Sequence, residues 1–166
     1  MTDADAAELL RAVTESLAHL RPWAPWVADG YDAEAAATFL RDAAEGWRSG
    51  TSFPHAITVD GAIVGVVAAE RADDLVEIGY WLHPAHTGRG HATAATAELV
   101  GFAFALDGVR RVQIWHDVAN VASSGVPRRL GFTEVGPRTP PRVPPAGSRA
   151  GVDVVWELRE PGSRGE

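Results

Sequence analysis

The stretch EIGYWLHPAHTGRGHATAATAELVGFAF, from Glu77 to Phe104, contains the pattern that decides the fold. It begins as an apolar strand, passes a proline, reaches the pair Gly88 and Gly90, and continues as an alanine-rich helix. Glycines at such a junction let a ligand approach the backbone closely. The first N–H groups of a helix lack intrahelical partners and carry partial positive charge. The junction therefore predicts a phosphate site, to which Arg89 adds a charged group.

Three kinds of phosphate loop can be compared with this glycine pair. A Walker loop ends in Gly-Lys-Ser/Thr, and no lysine stands here. A dinucleotide loop needs a third glycine, where this chain has Thr93, and a second βαβ half, which is not visible. The pyrophosphate loop of acetyl-CoA-dependent N-acetyltransferases has the pattern Gln/Arg-x-x-Gly-x-Gly/Ala, with Thr87, Gly90 and Ala92 at its defined positions. Taken alone, the motif is equally compatible with a glycine turn that binds nothing.

The composition excludes several classes of protein. The 166 residues suit one domain, predicted over 1–160, followed by a disordered tail at 161–166. The absence of cysteine excludes disulfides, thiolate catalysis and cysteine zinc sites. A net charge of −7 disfavours nucleic-acid binding, and no apolar run is long enough to span a membrane. The acidic N-terminus lacks the pattern of a signal peptide, so we expect a cytoplasmic protein.

Periodicity and turn residues predict a mixed α/β domain with a sheet covered on both faces. Asp60-Gly61 predicts a tight hairpin turn, and Gly131 is expected to follow the end of a short helix. Helices are predicted at 3–19, 31–47, 91–106 and 123–131. Strands are predicted in the hairpin 55–70 and at 75–83, 110–118, 132–138 and 151–160.

The segments EIGYWLHPAHTGRGHATAA and VRRVQIWHDVANVASSGVPRRLGF closely resemble the GNAT acetyltransferases, and most of all their RimJ/RimL-like ribosomal-protein acetyltransferase branch. The resemblance extends from Trp23 to Glu157 and includes RPWAPW at Arg21–Trp26. It implies a mostly antiparallel sheet of six to seven strands that splays at the CoA site. Family members usually begin with a strand before the first helix. Since that strand is not visible here, we expect six strands.

The resemblance also implies where acetyl-CoA and its acceptor bind. The pantetheine arm is expected between the splayed strands, the pyrophosphate on the glycine loop, and the acceptor beside two tryptophans. The family usually has Arg or Gln at the position of Thr87, so one phosphate contact is expected to be weaker. The implied acetyl-CoA-binding residues are Trp81, Leu82, His83, Thr87, Gly88, Arg89, Gly90, His91, Ala92, Thr93, Asn120 and Ser123. The implied acceptor-binding residues are Trp23 and Trp26.

Acetyl transfer to an amine requires a neutral amine, a donor for the developing oxyanion and a group at the departing sulfur. The resemblance implies the backbone N–H near Leu82 as the oxyanion donor and Ser123 as the group at the sulfur. Alternatively Ser123 caps the short helix, and Asn120 forms an Asx turn. Glu77 is the first candidate for the general base, with His116 and Asp117 as further candidates. A mechanism without a dedicated base is also possible.

Two other groups of residues have competing interpretations. His83, His86 and His91 straddle strand, loop and helix with no fourth ligand indicated, so no metal is predicted. Arg138, Arg142 and Arg149 lie in a proline-rich segment, 137–151, predicted to be a mobile, solvated loop. The alternative is that these arginines cover an acidic substrate or the CoA 3′-phosphate.

We therefore predict an acetyl-CoA-dependent N-acetyltransferase whose acceptor attacks directly in a ternary complex. The acceptor is a primary amine, either a protein N-terminus or a small aminoacyl or antibiotic-like amine, and the sequence does not decide between them. A homodimer is expected from the branch. The alternative functions are a non-catalytic acyl-CoA sensor of the same fold and a nicotinamide-dependent oxidoreductase.

Overall fold

The structure is a computed structural model that describes residues 1–142 and 149–160. Within these residues there are four α-helices and six β-strands. The helices are α1 (Ala6–Leu20), α2 (Ala33–Ser49), α3 (His91–Ala105) and α4 (Gly125–Arg129). The strands are β1 (Ser52–Val59), β2 (Ala62–Ala72), β3 (Leu75–Leu82), β4 (Arg111–Asp117), β5 (Thr133–Arg138) and β6 (Asp153–Arg159). The predicted elements are confirmed, with boundaries that differ by a few residues.

The strands form one sheet in the order β1-β2-β3-β4-β6-β5. Only the β3–β4 pair is parallel, because α3 crosses over between these two strands. All other neighbouring strands are antiparallel. The predicted mostly antiparallel α/β sheet is therefore confirmed, with six strands.

Local signals explain the element boundaries. Asp60 and Gly61 both have positive φ, 52° and 82°, which is the conformation of the two-residue turn predicted between β1 and β2. The Asp32 carboxylate caps α2 by accepting a hydrogen bond of 2.9 Å from the Ala35 N–H. Gly50 ends the same helix in the left-handed conformation, with φ of 73°.

The sheet has a separate apolar core on each face. On one face α3 packs through Leu99 and Ala103 against Ile78 and Ile114 of the central strands. On the other face α1 packs over β2 and α2 packs against α1 and β1, with Leu9 and Val13 among the buried residues. Burial on both faces holds the central strands in place, so that a defect between them is a fixed feature of the fold.

That defect lies between β3 and β4. These strands pair only at Leu75–Arg111, Val76–Val112 and Glu77–Gln113. Beyond this point β3 continues to Leu82 and β4 to Asp117 without pairing to each other. A wedge-shaped gap therefore opens in the middle of the sheet, as the resemblance implied.

Gly65 of β2 lies opposite Leu82 of β3, and its replacement by alanine gives a direct test of the packing between these strands. A Cβ at Gly65 would lie 2.2 Å from the Trp81 carbonyl oxygen and 2.8 Å from Leu82 Cδ2. We expect Gly65→Ala to lower the free energy of unfolding in urea by about 1–3 kcal/mol, because backbone must move to accept the methyl group.

The matched control for this prediction is Gly101→Ala in α3. A Cβ at Gly101 would meet no heavy atom within 4 Å, and the residue is helical. The free energy of unfolding of this variant should rise by about 0.5–1 kcal/mol, because alanine is more favourable than glycine inside a helix. Equal urea midpoints for the Gly65 variant and the natural protein would contradict the packing described here.

Two predictions fall outside the described residues. The predicted tail, 161–166, is one, and residues 143–148 of the predicted loop are the other. Among the residues that the structure describes, no helix is both long enough and apolar enough to cross a membrane.

Candidate active site

A cleft of about 1640 Å³ passes through the gap between β3 and β4. Because neighbouring strand residues point to opposite faces, Trp81 lines the cleft from one face of the sheet and Tyr80 from the other. Every predicted site residue lines this cleft except His83 and Arg89. The structure thus brings together residues predicted from five separate parts of the chain.

The glycine loop forms the end of the cleft at the N-terminus of α3. Gly88 and Gly90 have φ values of 72° and 84°, which explains the glycines, since other residues rarely adopt this conformation. A Cβ on either glycine would meet no heavy atom within 4 Å. Space above the loop and the N–H groups of the first helical turn together fit a phosphate group.

The side chains beside the glycines contribute less than expected. The Thr87 hydroxyl donates a hydrogen bond of 2.9 Å to the Pro84 carbonyl, so it turns back into its own loop. Arg89 is exposed and lies outside the cleft lining. At this end of the cleft the groups that fit an anion are therefore backbone N–H groups, and not the side chains of Thr87 or Arg89.

The hydrogen-bond register of β3 determines which backbone groups face the gap. The His83 N–H donates to the Val64 carbonyl at 2.7 Å, and Leu82 lies opposite Gly65. Antiparallel ladders alternate, so the Trp81 and His83 backbone groups bond to β2, whereas the Leu82 N–H points into the gap. This register does not support ligand contacts through the Trp81 and His83 backbones, and the Leu82 N–H has the orientation expected of an oxyanion donor.

The His83 side chain also lies outside the cleft. Its Nδ1 accepts from the Ala85 N–H at 3.1 Å, and its Nε2 lies 3.3 Å from the Glu15 carboxylate of α1. The rings of His83 and His86 are 5.9 Å apart, and those of His86 and His91 are 6.1 Å apart. In residues 1–142 and 149–160, no group of three His, Cys, Asp or Glu side chains is arranged to hold a metal ion.

The turn after β4 presents Asn120 and Ser123 to the cleft. The Ser123 hydroxyl makes no hydrogen bond to a described residue, whereas the Ser124 hydroxyl donates to the Val121 carbonyl at 2.7 Å. Ser124, not Ser123, directly precedes α4, and Asn120 makes no side-chain cap hydrogen bond. The helix-cap alternative for Ser123 and the Asx-turn alternative for Asn120 are therefore not supported, which leaves both side chains available to a ligand.

Tyr80 is a site residue that the sequence did not indicate. Its hydroxyl donates a hydrogen bond of 2.8 Å to the Ser123 carbonyl and so joins β3 to the turn after β4 across the gap. Burial raises the pKa of the Tyr80 phenol well above its usual range, which keeps the group protonated as a donor. No sequence pattern links Tyr80 to Ser123, because their contact depends on the splayed strands.

His116 is buried and both of its ring nitrogens have partners. The Trp156 indole N–H donates to Nε2 at 3.1 Å, and Nδ1 lies 2.9 Å from the Asp117 carbonyl. Nε2 is therefore the acceptor nitrogen and Nδ1 carries the proton. A proton from a substrate would have to displace the indole, so this geometry does not support His116 as a base.

Asp117 is buried on the face of β4 opposite to that of His116, and its carboxylate accepts three backbone hydrogen bonds. The donors are the N–H groups of Ala119, Ala150 and Gly151, at 2.9, 2.9 and 3.0 Å. Burial alone would raise the pKa of Asp117, but these bonds and the nearby Arg149 outweigh it and lower the pKa. A carboxylate stabilised in its charged form is a weak base, so the geometry favours a structural role.

Glu77 lies at the base of the gap with its side chain 13% exposed. Its Oε1 forms ion pairs with Arg142 and, at 3.7 Å, with Arg138. Arg138 also contacts Asp153 at 3.3 Å and lies over the Trp115 ring at 5.4 Å. The prediction of a solvated loop is therefore not supported at Arg138 and Arg142, which form ion pairs with carboxylates of the sheet, although the Arg142 side chain is 48% exposed.

The aromatic residues form the wall of the cleft on the α1–α2 side. The Trp26 ring lies 6.2 Å from Trp81 and 5.8 Å from Tyr31, edge-on to the latter. Trp26 is 50% exposed, whereas Trp23 is half-buried. Burial raises the pKa of Tyr31 to about 12. These rings provide an apolar surface beside the gap.

Charge is distributed unequally along the cleft. Exposed carboxylates line the α2 side, namely Asp32, Glu34, Asp42 and Glu70. Glu34 and Asp42 are two helical turns apart on the same side of α2 and form no ion pair with a described residue. Arg129, His91 and the N-terminus of α3 lie at the opposite end. One end of the cleft thus favours an anion and the other a cation.

Comparison with known proteins identifies the family. The model of the acetyltransferase (GNAT) domain matches residues 1–133. The chain belongs to the GNAT acetyltransferase family. A Bacillus subtilis (strain 168) protein named "Putative ribosomal N-acetyltransferase YdaF" is 38% identical over 80 residues, which are 46% of this chain and 44% of that protein.

Two solved structures of GNAT acetyltransferases share the fold. Mycobacterium smegmatis RimJ, in complex with a CoA disulfide, is 25% identical with a TM-score of 0.83, over 96% of this chain and 79% of RimJ. RimL, a ribosomal L7/L12 α-N-protein acetyltransferase in complex with CoA, is 20% identical with a TM-score of 0.87, over 96% of this chain and 90% of RimL. The predicted resemblance to the RimJ/RimL-like GNAT branch, and with it the N-acetyltransferase class, is confirmed.

Proposed function

We propose that this GNAT domain transfers the acetyl group of acetyl-CoA to the N-terminal α-amine of a peptide or protein, by direct attack in a ternary complex. The observation that carries the proposal is the cleft that crosses the sheet between β3 and β4. It joins a phosphate-binding loop on one side to an aromatic, acidic surface on the other. Two substrates can therefore meet at the gap from opposite faces. A protein acceptor is further supported by the relative named as a ribosomal N-acetyltransferase.

The residues at the α3 end fit the donor. The loop Thr87–Thr93 would hold the pyrophosphate through backbone N–H groups, and Asn120 would hydrogen-bond the pantetheine arm in the gap. Acetyl-CoA supplies the acetyl group as a thioester. The Leu82 N–H would stabilise the developing charge on the carbonyl oxygen, and the Ser123 hydroxyl would donate to the departing sulfur.

The acceptor amine must be neutral to attack, and the predicted bases are already engaged. Glu77 is paired with two arginines, His116 has partners on both ring nitrogens, and Asp117 accepts three N–H groups. We infer that the amine loses its proton to solvent. An α-amine has a pKa near 8 and lysine one near 10.4, so at pH 7 the α-amine is neutral roughly 200-fold more often. This difference favours α-amines over lysine side chains.

The exposed carboxylates of the α2 side indicate the class of peptide. A peptide whose first residues include lysine or arginine would place its positive charges beside Glu34 and Asp42. Their attraction to these carboxylates is solvent-exposed and therefore modest for each pair. Several pairs acting together would select basic N-terminal segments over acidic ones.

We expect the double variant Glu34→Gln, Asp42→Asn to raise KM for a basic peptide about tenfold, since each exposed pair contributes up to about 1 kcal/mol. KM for a neutral peptide should stay within about twofold, and 0.5 M salt should reduce the difference through screening. The matched control is Glu45→Gln, also an exposed glutamate of α2, which pairs with Arg48 outside the cleft. An equal rise in KM for both peptides would contradict selection by charge.

The function itself is tested by thiol release from acetyl-CoA with a panel of amines. The panel includes basic, neutral and acidic peptides with free N-termini, the same peptides with blocked N-termini, and aminoacyl nucleotides. Release that requires a free peptide N-terminus supports the proposal. Release with aminoacyl nucleotides alone would favour a small-molecule acceptor. CoA binding by calorimetry without release on any amine would favour the acyl-CoA sensor, and absence of CoA binding would overturn the donor site.

A further inference from the structure

Arg149 is buried where three segments of the cleft wall meet. Its side chain is 4% exposed, although arginine is among the residues least often buried. Its Nη1 donates a hydrogen bond of 3.0 Å to the backbone carbonyl of Trp23, which is 126 positions away in the chain. A buried guanidinium needs partners for its charge, and two buried carboxylates provide them.

Asp117 and Asp153 hold the guanidinium from the sheet side. Arg149 Nε lies 3.8 Å from Asp117 Oδ2, and Nη2 lies 3.5 Å from Asp153 Oδ1. The side chains of Asp117 and Asp153 are 1% and 0% exposed. Both carboxylates stand on adjacent strands at paired positions, so the sheet fixes their separation. These two carboxylates therefore fix the position of the Arg149 guanidinium beside the Trp23 carbonyl.

Asp117 connects this ion cluster to the turn that carries Asn120 and Ser123. The same carboxylate accepts from the Ala119 N–H, at the start of that turn, and from the Ala150 and Gly151 N–H groups before β6. The acceptor-side segment Arg21–Trp26 and the donor-side turn Asn120–Ser123 are thus tied to one buried point.

We propose that Arg149 is a positioning residue that sets acceptor affinity by fixing the segment Arg21–Trp26 against the gap. The inference rests on the proposed function, because it assigns this segment to the acceptor site. Arg149 acts through the Trp23 carbonyl, and Asp117 and Asp153 act by holding Arg149. The backbone hydrogen bonds to Asp117 hold the donor-side turn without Arg149, so the donor site does not depend on the hydrogen bond to Trp23.

The test is Arg149→Lys, which keeps the buried positive charge but cannot contact all three partners at once. We expect KM for a peptide acceptor to rise about tenfold, the effect of one lost charge-assisted hydrogen bond. The dissociation constant of CoA and kcat should each stay within about twofold. The matched control is Arg111→Lys, at the other end of β4, which loses its paired contacts to Asp74 and should leave KM unchanged.

Two further measurements separate positioning from a general loss of structure. If Arg149 acts through the tryptophan segment, Arg149→Lys and Trp26→Ala should raise KM less than additively when combined. Hydrogen exchange over residues 21–27 should be faster in Arg149→Lys and unchanged in Arg111→Lys. Unchanged exchange with unchanged KM would overturn the inference. Failure of every amine in the thiol-release panel, with faster exchange in Arg149→Lys, would instead refute the proposed function and leave the positioning of the segment supported.

Discussion

Gly90→Asp should weaken acetyl-CoA binding about 100-fold, because a carboxylate about 5 Å from the pyrophosphate at an effective dielectric constant near 20 costs roughly 3 kcal/mol. Aspartate tolerates positive φ better than most residues, so the φ of 84° at Gly90 should not prevent folding. The new carboxylate would point into the space above the loop, where no heavy atom lies within 4 Å of the added Cβ. Calorimetric titration with CoA measures the effect.

Two variants separate charge from shape in this experiment. Gly90→Asn adds the same bulk without the charge, so its CoA affinity should fall between those of Gly90→Asp and the natural protein. Gly108→Asp introduces the same residue at a φ of 79° outside the cleft, and should leave CoA affinity unchanged. Equal affinities for Gly90→Asp and Gly90→Asn would show that no anion binds at the N-terminus of α3.

Ser123→Ala should lower kcat about 100-fold, the lower end of the range for a positioned proton donor. The hydroxyl lines the cleft and makes no hydrogen bond to a described residue, so its removal leaves no buried group unpaired. The backbone at this position should stay in place, because Tyr80 holds the Ser123 carbonyl. Affinity for CoA should change less than about threefold, since the loss is confined to the departing sulfur.

Ser124→Ala is the neighbouring control for this prediction. Its hydroxyl donates a hydrogen bond to the Val121 carbonyl, and Ser124 does not line the cleft. The free energy of unfolding of this variant should therefore fall by about 1 kcal/mol, while kcat stays unchanged. The rate constant of the acetyl-transfer step can be measured in the pre-steady state. If Ser123→Ala leaves this rate constant unchanged, the departing thiolate requires no donor from this turn.

Local patterns were enough to predict the elements that surround the site. The apolar pattern of residues 75–83 predicted the strand, and Gly88 and Gly90 predicted the loop before α3. These signals are local, since they depend on the conformational preferences of a few adjacent residues. The resemblance to the GNAT family then placed Ser123 and Asn120 at the same cleft.

The partners of charged and buried groups could not be predicted in the same way. Glu77 pairs with arginines from a segment predicted to be solvated, and the Trp156 indole fills the acceptor nitrogen of His116. Each of these contacts joins residues at least 40 positions apart. Composition shows that arginines and carboxylates are present, but it does not show which of them meet.

The sequence by itself determined the order of helices and strands, the glycine loop before α3 and the membership of the GNAT family. These depend on periodicity, turn conformation and short motifs, which neighbouring residues encode. Only the tertiary structure decided which backbone amide faces the gap and why the predicted bases are engaged. It also showed that Arg149 joins Trp23 to Asp117. The physical reason is that strand register and the burial of opposite charges are set by packing across the sheet, where distant residues are brought within hydrogen-bond distance.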